Sequence, residues 1–157
     1  MHMRGQDSRR FVVRLRHDGG YRFTNQASED ARLHGVPFVS DEPDPVGEAC
    51  GPSTPALLAS AVAHCLSASL LETLRHAHIP VEDCVTEAIA VVAPNDAGYP
   101  RIDHIEVTIS PRLPEGSTRL ARCAEVFERA CTVTSSVRQG IDVRVRVAWQ
   151  TPEGGMP

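Results

Sequence analysis

The sequence predicts a small α+β protein organised around one long, buried helix. Three observations predict it. Strand-like and helix-like segments run in the order strands, helix, strands, helix, strand, rather than in the regular alternation of a doubly wound sheet. Residues 55–78 carry apolar side chains at helical spacing over most of the circumference. Residues 105–109 and 143–147 alternate with period two, as half-buried strands do.

Taken in order, residues 11–17 are β-branched and alternating, and read as a strand. Asp18-Gly19-Gly20 signals a hairpin turn, and residues 21–24 are the return strand. Residues 25–34 form a polar stretch, and residues 37–40 a third short strand. Residues 41–55 hold four prolines and two glycines, so they are expected to be loop.

The long helix is expected to start with Thr54 as its N-cap and Pro55 as its first residue. Leu57, Leu58, Ala61, Val62, Cys65, Leu66, Leu70, Leu71 and Leu74 then require burial on several sides, under a sheet or against a second subunit. Pro80 stops the helix near His78. Residues 84–93 and 102–111 are strands joined by a turn at Asn95-Asp-Ala-Gly98. A second helix, opening at residues 114–118, carries the stripe Leu120, Cys123, Phe127 and Cys131. Thr132 or Thr134 is expected to cap a further helical turn, and residues 141–149 close the chain as a strand.

At 157 residues the chain suits one domain, with a core at about 11–149 and tails at 1–10 and 150–157. Its composition, 41% hydrophobic and 23% charged, is that of a soluble globular protein. Aromatics are 4%, so the core must be aliphatic. A net charge of -4 argues against a nucleic-acid partner. Residues 1–10 are polar and lack the apolar stretch of a secretory signal. The apolar run at residues 56–71 is shorter than a bilayer span and carries His64, Cys65 and three serines, so no membrane partner is expected. Five cysteines, an odd number, fit a reducing cytoplasm in which a disulfide would be transient.

Chemistry rests on those cysteines. Alone, a mid-helix Cys65 reads as a small core hydrophobe. Cys131, where one helix stops and Thr132-Val-Thr-Ser-Ser136 starts another turn, is placed to feel a positive helix end, which lowers a thiol pKa. His64 adjoins Cys65 but points about 100° away on the helix, so it is not its direct base. The sequence has no CxxC, HxxxH or HExxH spacing for zinc, no Gly-x-Ser-x-Gly elbow and no glycine-rich phosphate loop, so neither metal nor cofactor is expected.

The segment Gly51-Pro-Ser-Thr-Pro-Ala-Leu-Leu-Ala-Ser-Ala-Val-Ala-His-Cys65 resembles the reactive-cysteine helix of the OsmC/Ohr (organic hydroperoxide resistance) family. Val39-Ser-Asp-Glu-Pro43 followed by Gly47 resembles the loop before that helix in OsmC-like members. Ala130-Cys-Thr-Val-Thr-Ser-Ser-Val-Arg-Gln-Gly140 resembles the second cysteine motif, with Thr132 where the family has proline. The resemblance spans about residues 11–149 and implies an OsmC-like fold: an antiparallel sheet wrapped around a long central helix, in an intertwined homodimer. It also implies a thiol peroxidase for small organic hydroperoxides, serving oxidative-stress defence. Cys65 would be peroxidatic and Cys131 resolving, with an external dithiol as reductant. The family's activating Pro-Glu pair falls at Thr54 and Pro55, so the glutamate is missing there. Glu48 is the candidate substitute, and Arg22 the positional match to the activating arginine. The alternative is a divergent member with little peroxidase activity that binds an apolar small molecule or has another thiol role.

Overall fold

The computed structural model describes residues 9–151. The chain divides into two compact units, Met1–Leu57 and Leu58–Pro157. The secondary structure is α+β, with two three-stranded sheets and a set of helices.

The N-terminal unit is an antiparallel meander of β1 (Phe11–Gly19), β2 (Arg22–Glu29) and β3 (Arg32–Ser40), in the order β1-β2-β3. The stretch read from sequence only as polar therefore holds the turn of a second hairpin. Its turn residues, Asp30 and Ala31, both adopt positive φ, 48° and 66°. Two-residue hairpin turns need that geometry, which usually selects Asn or Gly. With alanine in the second place, the sequence hides the turn. The buried residues of this unit are polar: Asn25, Ser40 and Asp41. Asn25 Nδ2 donates to Ser40 Oγ at 2.8 Å, tying β2 to β3. Both faces of β1 are largely exposed.

The loop after β3 is held by one carboxylate. Asp41 accepts hydrogen bonds from the backbone N–H of Glu42 (2.8 Å), Glu48 (3.1 Å) and Cys50 (3.2 Å). The path is so close that a Cβ on Gly51 would lie 2.1 Å from the Val39 carbonyl oxygen.

The long helix α1 spans Thr54–His76. Leu57 N–H bonds to the Ser53 carbonyl, so the helix begins one residue earlier than Thr54 capping would give. It ends as Pro80 requires. Ile79 N–H reaches the Leu74 carbonyl, His78 N–H reaches Arg75, and His78 takes φ 57°, together a Schellman closure.

In the C-terminal unit, β4 (Asp83–Pro94) pairs antiparallel with β5 (Pro100–Arg112). The Asn95 side chain anchors their turn by accepting from Ala97 and Tyr99 N–H. Then follow α2 (Leu120–Val126), a 3₁₀ turn (Phe127–Ala130), α3 (Thr132–Val137) and β6 (Asp142–Val147). β6 runs parallel to β5, so this sheet is mixed rather than wholly antiparallel. The helical crossover between them returns the chain to the end where β5 began, which imposes that direction. The helix expected to run up to Cys131 is instead interrupted at Phe127 by the 3₁₀ turn; the stop at Cys131 and the further turn after it are as expected.

The core lies in this unit. Val62, Leu66, Leu70 and Leu74 of α1 share one buried cluster with Ile105, Val107 and Ile109 of β5 and with Phe127 and Cys123. Its buried members are aliphatic apart from Phe127, Cys123 and Cys131, in keeping with the low aromatic content. Helix α1 is long and apolar enough, at a mean hydropathy of 1.5, to pass for a membrane span; its inner stripe is instead part of this core.

Phe127 is 1% exposed. Phe127→Ala is expected to remove about 3–5 kcal/mol of stability, as aromatic truncations in closed cores do. Arg122→Ala, on the surface, should stay within about 0.5 kcal/mol. Denaturant unfolding of both variants checks the contrast.

Candidate functional site

Helix α1 turns Cys65 toward the core, where it packs half-buried. Residue 131 arrives from the opposite direction in sequence. The 3₁₀ turn ends there, φ/ψ becomes extended (-82°, 99°), and Cys131 is the N-cap of α3. The cap expected at Thr132 or Thr134 is thus Cys131 itself, and no side chain caps the helix. Two thiols 66 residues apart come under one influence: Cys65 is among the groups that raise the Cys131 pKa. Both are free thiols.

The Cys131 pKa is raised, against the expectation from helix position. Burial is the largest cause, followed by the hydrogen bond with Cys65. Burying a thiolate outweighs the field of a helix only six residues long. Thr134 opposes the rise with its side chain and its backbone. The Cys131 thiol donates to Thr134 Oγ1 at 2.9 Å, and Thr134 is fully buried. Sequence reasoning considered Thr134 only as a cap. The available signal was a hydroxyl three residues past an N-cap position, the spacing at which a helix's first turn closes on its cap.

Arg22 and Glu48, the candidate activating residues, lie in the N-terminal unit, and the structure joins them. Arg22 Nη1 bonds to Glu48 Oε2 at 2.8 Å. Arg22 follows the β1–β2 turn directly, and Glu48 stands in the loop fixed by Asp41. The exposed Cys50 completes this group. Its sulfur is 3.8 Å from the same Glu48 Oε2. Arg22 is held protonated above its ordinary value, first by a hydrogen bond with Cys50 and then by Glu48. Burial works to raise the Asp41 pKa, but the N–H groups of Cys50, Glu48 and Glu42 outweigh it and keep it low. Asp41 and Cys50 were not singled out from sequence beyond their place in a loop.

The other candidates separate. Cys123 is core. Cys84 is half-buried on β4, and burial raises its pKa. His64 is exposed and lines a groove of about 310 Å³ with Ser67, Ala68, Leu71, Cys84 and Thr86. Ser67 Oγ and Thr86 Oγ1 are hydrogen-bonded there at 2.7 Å. Among the described residues, no three His, Cys, Asp or Glu side chains converge as a metal site.

Fold and residue placement together define a small α+β protein with free cysteines on its long helix and at the N-cap of α3. The model of the OsmC-like protein family matches residues 47–146, and the chain belongs to that family. Solved structures agree on the fold. An OsmC-like protein of unknown function from Vibrio cholerae is similar at a TM-score of 0.69 and 13% identity, over 90% of this chain and 99% of that one. An OsmC-like protein from Mycoplasma pneumoniae gives 0.68 and 16%, over 92% and 98%. An organic hydroperoxide resistance protein from Elizabethkingia anophelis gives 0.61 and 17%, over 93% and 99%. None of the curated proteins matches the sequence significantly.

Thr134→Val removes a group that favours the Cys131 thiolate, so the Cys131 pKa should rise further and less thiolate should be present at any pH below it. The pH profile of Cys131 alkylation, followed by peptide mass spectrometry, should shift upward relative to wild type.

Proposed function

We propose that the protein is a thiol peroxidase for small organic hydroperoxides, acting in oxidative-stress defence in the cytoplasm. The observation that supports this reading is the influence of Cys65 on the Cys131 thiol, in a chain of the OsmC-like family. The Cys65 thiolate attacks the distal peroxide oxygen, the O–O bond breaks, and the alcohol leaves with a proton. Cys65 is then a sulfenic acid. The Cys131 sulfur attacks it, a disulfide forms and water departs. An external dithiol exchanges with that disulfide and restores both thiols. The reaction needs no resident cofactor. Arg22 and Glu48 are the candidates for the activating arginine and glutamate of the family pattern, and their ion pair supports their acting together.

Stoichiometric cumene hydroperoxide, followed by non-reducing peptide mapping, tests the reading. A Cys65–Cys131 disulfide forming faster than with hydrogen peroxide is expected, and Cys65→Ser should abolish it. Thiols that stay free over minutes in a folded protein would overturn it.

A second reading has its own observation. The groove between α1 and β4 reaches the lower size range of small-molecule sites and mixes Leu71 and Ala68 with His64 and paired hydroxyls. Binding of an apolar small molecule there would stabilise the protein without oxidising any thiol.

We also propose a homodimer. The N-terminal sheet has no apolar core of its own, yet Phe11, Val13, Leu15, Leu33, Val36 and Phe38 are all exposed in the single chain. Apolar surface on that scale marks an interface, and a second copy is the partner the family resemblance implies. Light scattering at micromolar concentration should return twice the 17.0 kDa mass of the chain, and Leu15→Glu should shift the protein toward monomer. A monomeric wild type would remove the proposal.

A further inference from the structure

Resting on the thiol-peroxidase reading, we infer that Arg138 is a positioning residue of its second step: the guanidinium clasps the two short helices that meet at Cys131, and so sets where that thiol stands when it attacks the Cys65 sulfenic acid.

Cys131 is a joint. It is at once the C-cap of the 3₁₀ turn Phe127–Ala130 and the N-cap of α3, with extended backbone between two helical stretches. Neither helix has a side chain capping its start, and at four and six residues both are too short to hold their own direction. The backbone bonds at the joint are local. Cys131 N–H donates to the Glu128 carbonyl at 3.2 Å, and Ser135 N–H to the Cys131 carbonyl at 3.0 Å. Phe127 seats the turn on the core, and Val133 and Val137 seat α3. Apolar contacts are non-directional, so they fix depth better than angle.

Arg138 supplies the direction. It is the C-cap of α3, and its Nη2 pairs with the Glu128 carboxylate in the 3₁₀ turn. Nε at 3.3 Å and the same Nη2 at 3.0 Å also donate to the Val143 carbonyl oxygen. Val143, 4% exposed, is paired with Ile105 on the central strand β5. One planar group thereby ties both sides of the joint to the sheet. Its N–H groups form a rigid fork that an ammonium cannot copy. The Arg138 backbone N–H adds a bond to the Thr134 carbonyl at 3.0 Å, and Thr134 Oγ1 accepts from the Cys131 thiol at 2.9 Å. The clasp is therefore continuous with the hydroxyl that orients the sulfur.

In the second step the Cys131 sulfur bonds to the Cys65 sulfur and the S–O bond of the sulfenic acid breaks. Hydroxide leaves with the proton that Cys131 gives up, as water. Cys131 is oxidised, and the Cys65 sulfur is reduced to the disulfide level. Small misplacements in such an attack cost large factors in rate. The first step, attack of Cys65 on the peroxide, makes no demand on Arg138.

Full-length wild type, Arg138→Met, Arg138→Lys and Glu128→Gln are each treated with one equivalent of cumene hydroperoxide in the presence of a 1,3-diketone sulfenic-acid trap. Peroxide consumption reads the first step. Peptide mapping gives the ratio of trapped Cys65 to Cys65–Cys131 disulfide. Arg138→Met is expected to consume peroxide at the wild-type rate and to shift that ratio about tenfold toward the trapped form. Arg138→Lys should recover in part, and Glu128→Gln should shift it the same way by less. Circular dichroism checks folding; should Arg138→Met not fold, the other two variants carry the test. A wild-type ratio in the folded variants would overturn the inference, as would equal slowing of both steps, the mark of general loosening. A wild-type protein that forms no disulfide would instead overturn the peroxidase reading, and the role of Arg138 with it.

Discussion

The contact on which the C-terminal unit depends is the seating of α1 on β5. Val62, Leu66, Leu70 and Leu74 repeat at intervals of four, and they meet Ile105, Val107 and Ile109, which repeat at intervals of two. Two periodicities written independently into the sequence thus close on one another. All seven residues are at most 2% exposed, so the helix cannot rotate or slide without opening a cavity. That fixes the azimuth of Cys65, one residue before Leu66. The crossover through α2 buries Phe127, Cys123 and Cys131 in the same cluster, against which Cys65 packs.

The N-terminal unit is stabilised differently. Its buried residues are Asn25, Ser40 and Asp41, so hydrogen bonds rather than apolar packing define its shape. Such a sheet gains little from its own interior, since intramolecular hydrogen bonds largely exchange for those with water. Its stability must come from covering the apolar side chains it exposes. The Asp41 loop fits this plan: a carboxylate with three N–H partners is costly to disturb, so Glu48 and Cys50 keep their places at an exposed surface.

Legibility in the sequence followed physical cause. The long helix, its stop before Pro80, the β4–β5 hairpin and the final strand were readable because burial imposes periodicity. The β2–β3 hairpin was not, because most of residues 25–34 are polar and its turn uses Asp30 and Ala31 instead of the residues that announce positive φ. The parallel pairing of β6 was not readable either, since direction is set by the path of the crossover and leaves no mark on alternation. At the site, both motif cysteines were legible from the segments around them. The dependence of Cys131 on Thr134 and the convergence of Arg22, Glu48 and Cys50 were not, since each rests on distances between segments that share no pattern.

The raised pKa of Cys131 bears on how labour is divided within the dithiol. A peroxidatic thiol must be a thiolate when it meets peroxide, whereas a resolving thiol is needed only after sulfenic acid has formed. Two thiolates in contact would repel, and burial makes that repulsion larger. Keeping Cys131 protonated therefore avoids a second negative charge in a buried setting. It also gives Cys131 a hydrogen to donate, and in the resting protein Thr134 accepts it. Once Cys65 carries an oxygen, the Thr134 hydroxyl and N–H stand ready to stabilise negative charge on the Cys131 sulfur as it attacks. In the proposed reaction burial would thus set the order of events: it keeps Cys131 neutral until an electrophile forms, and Thr134 lowers the cost of ionising it then.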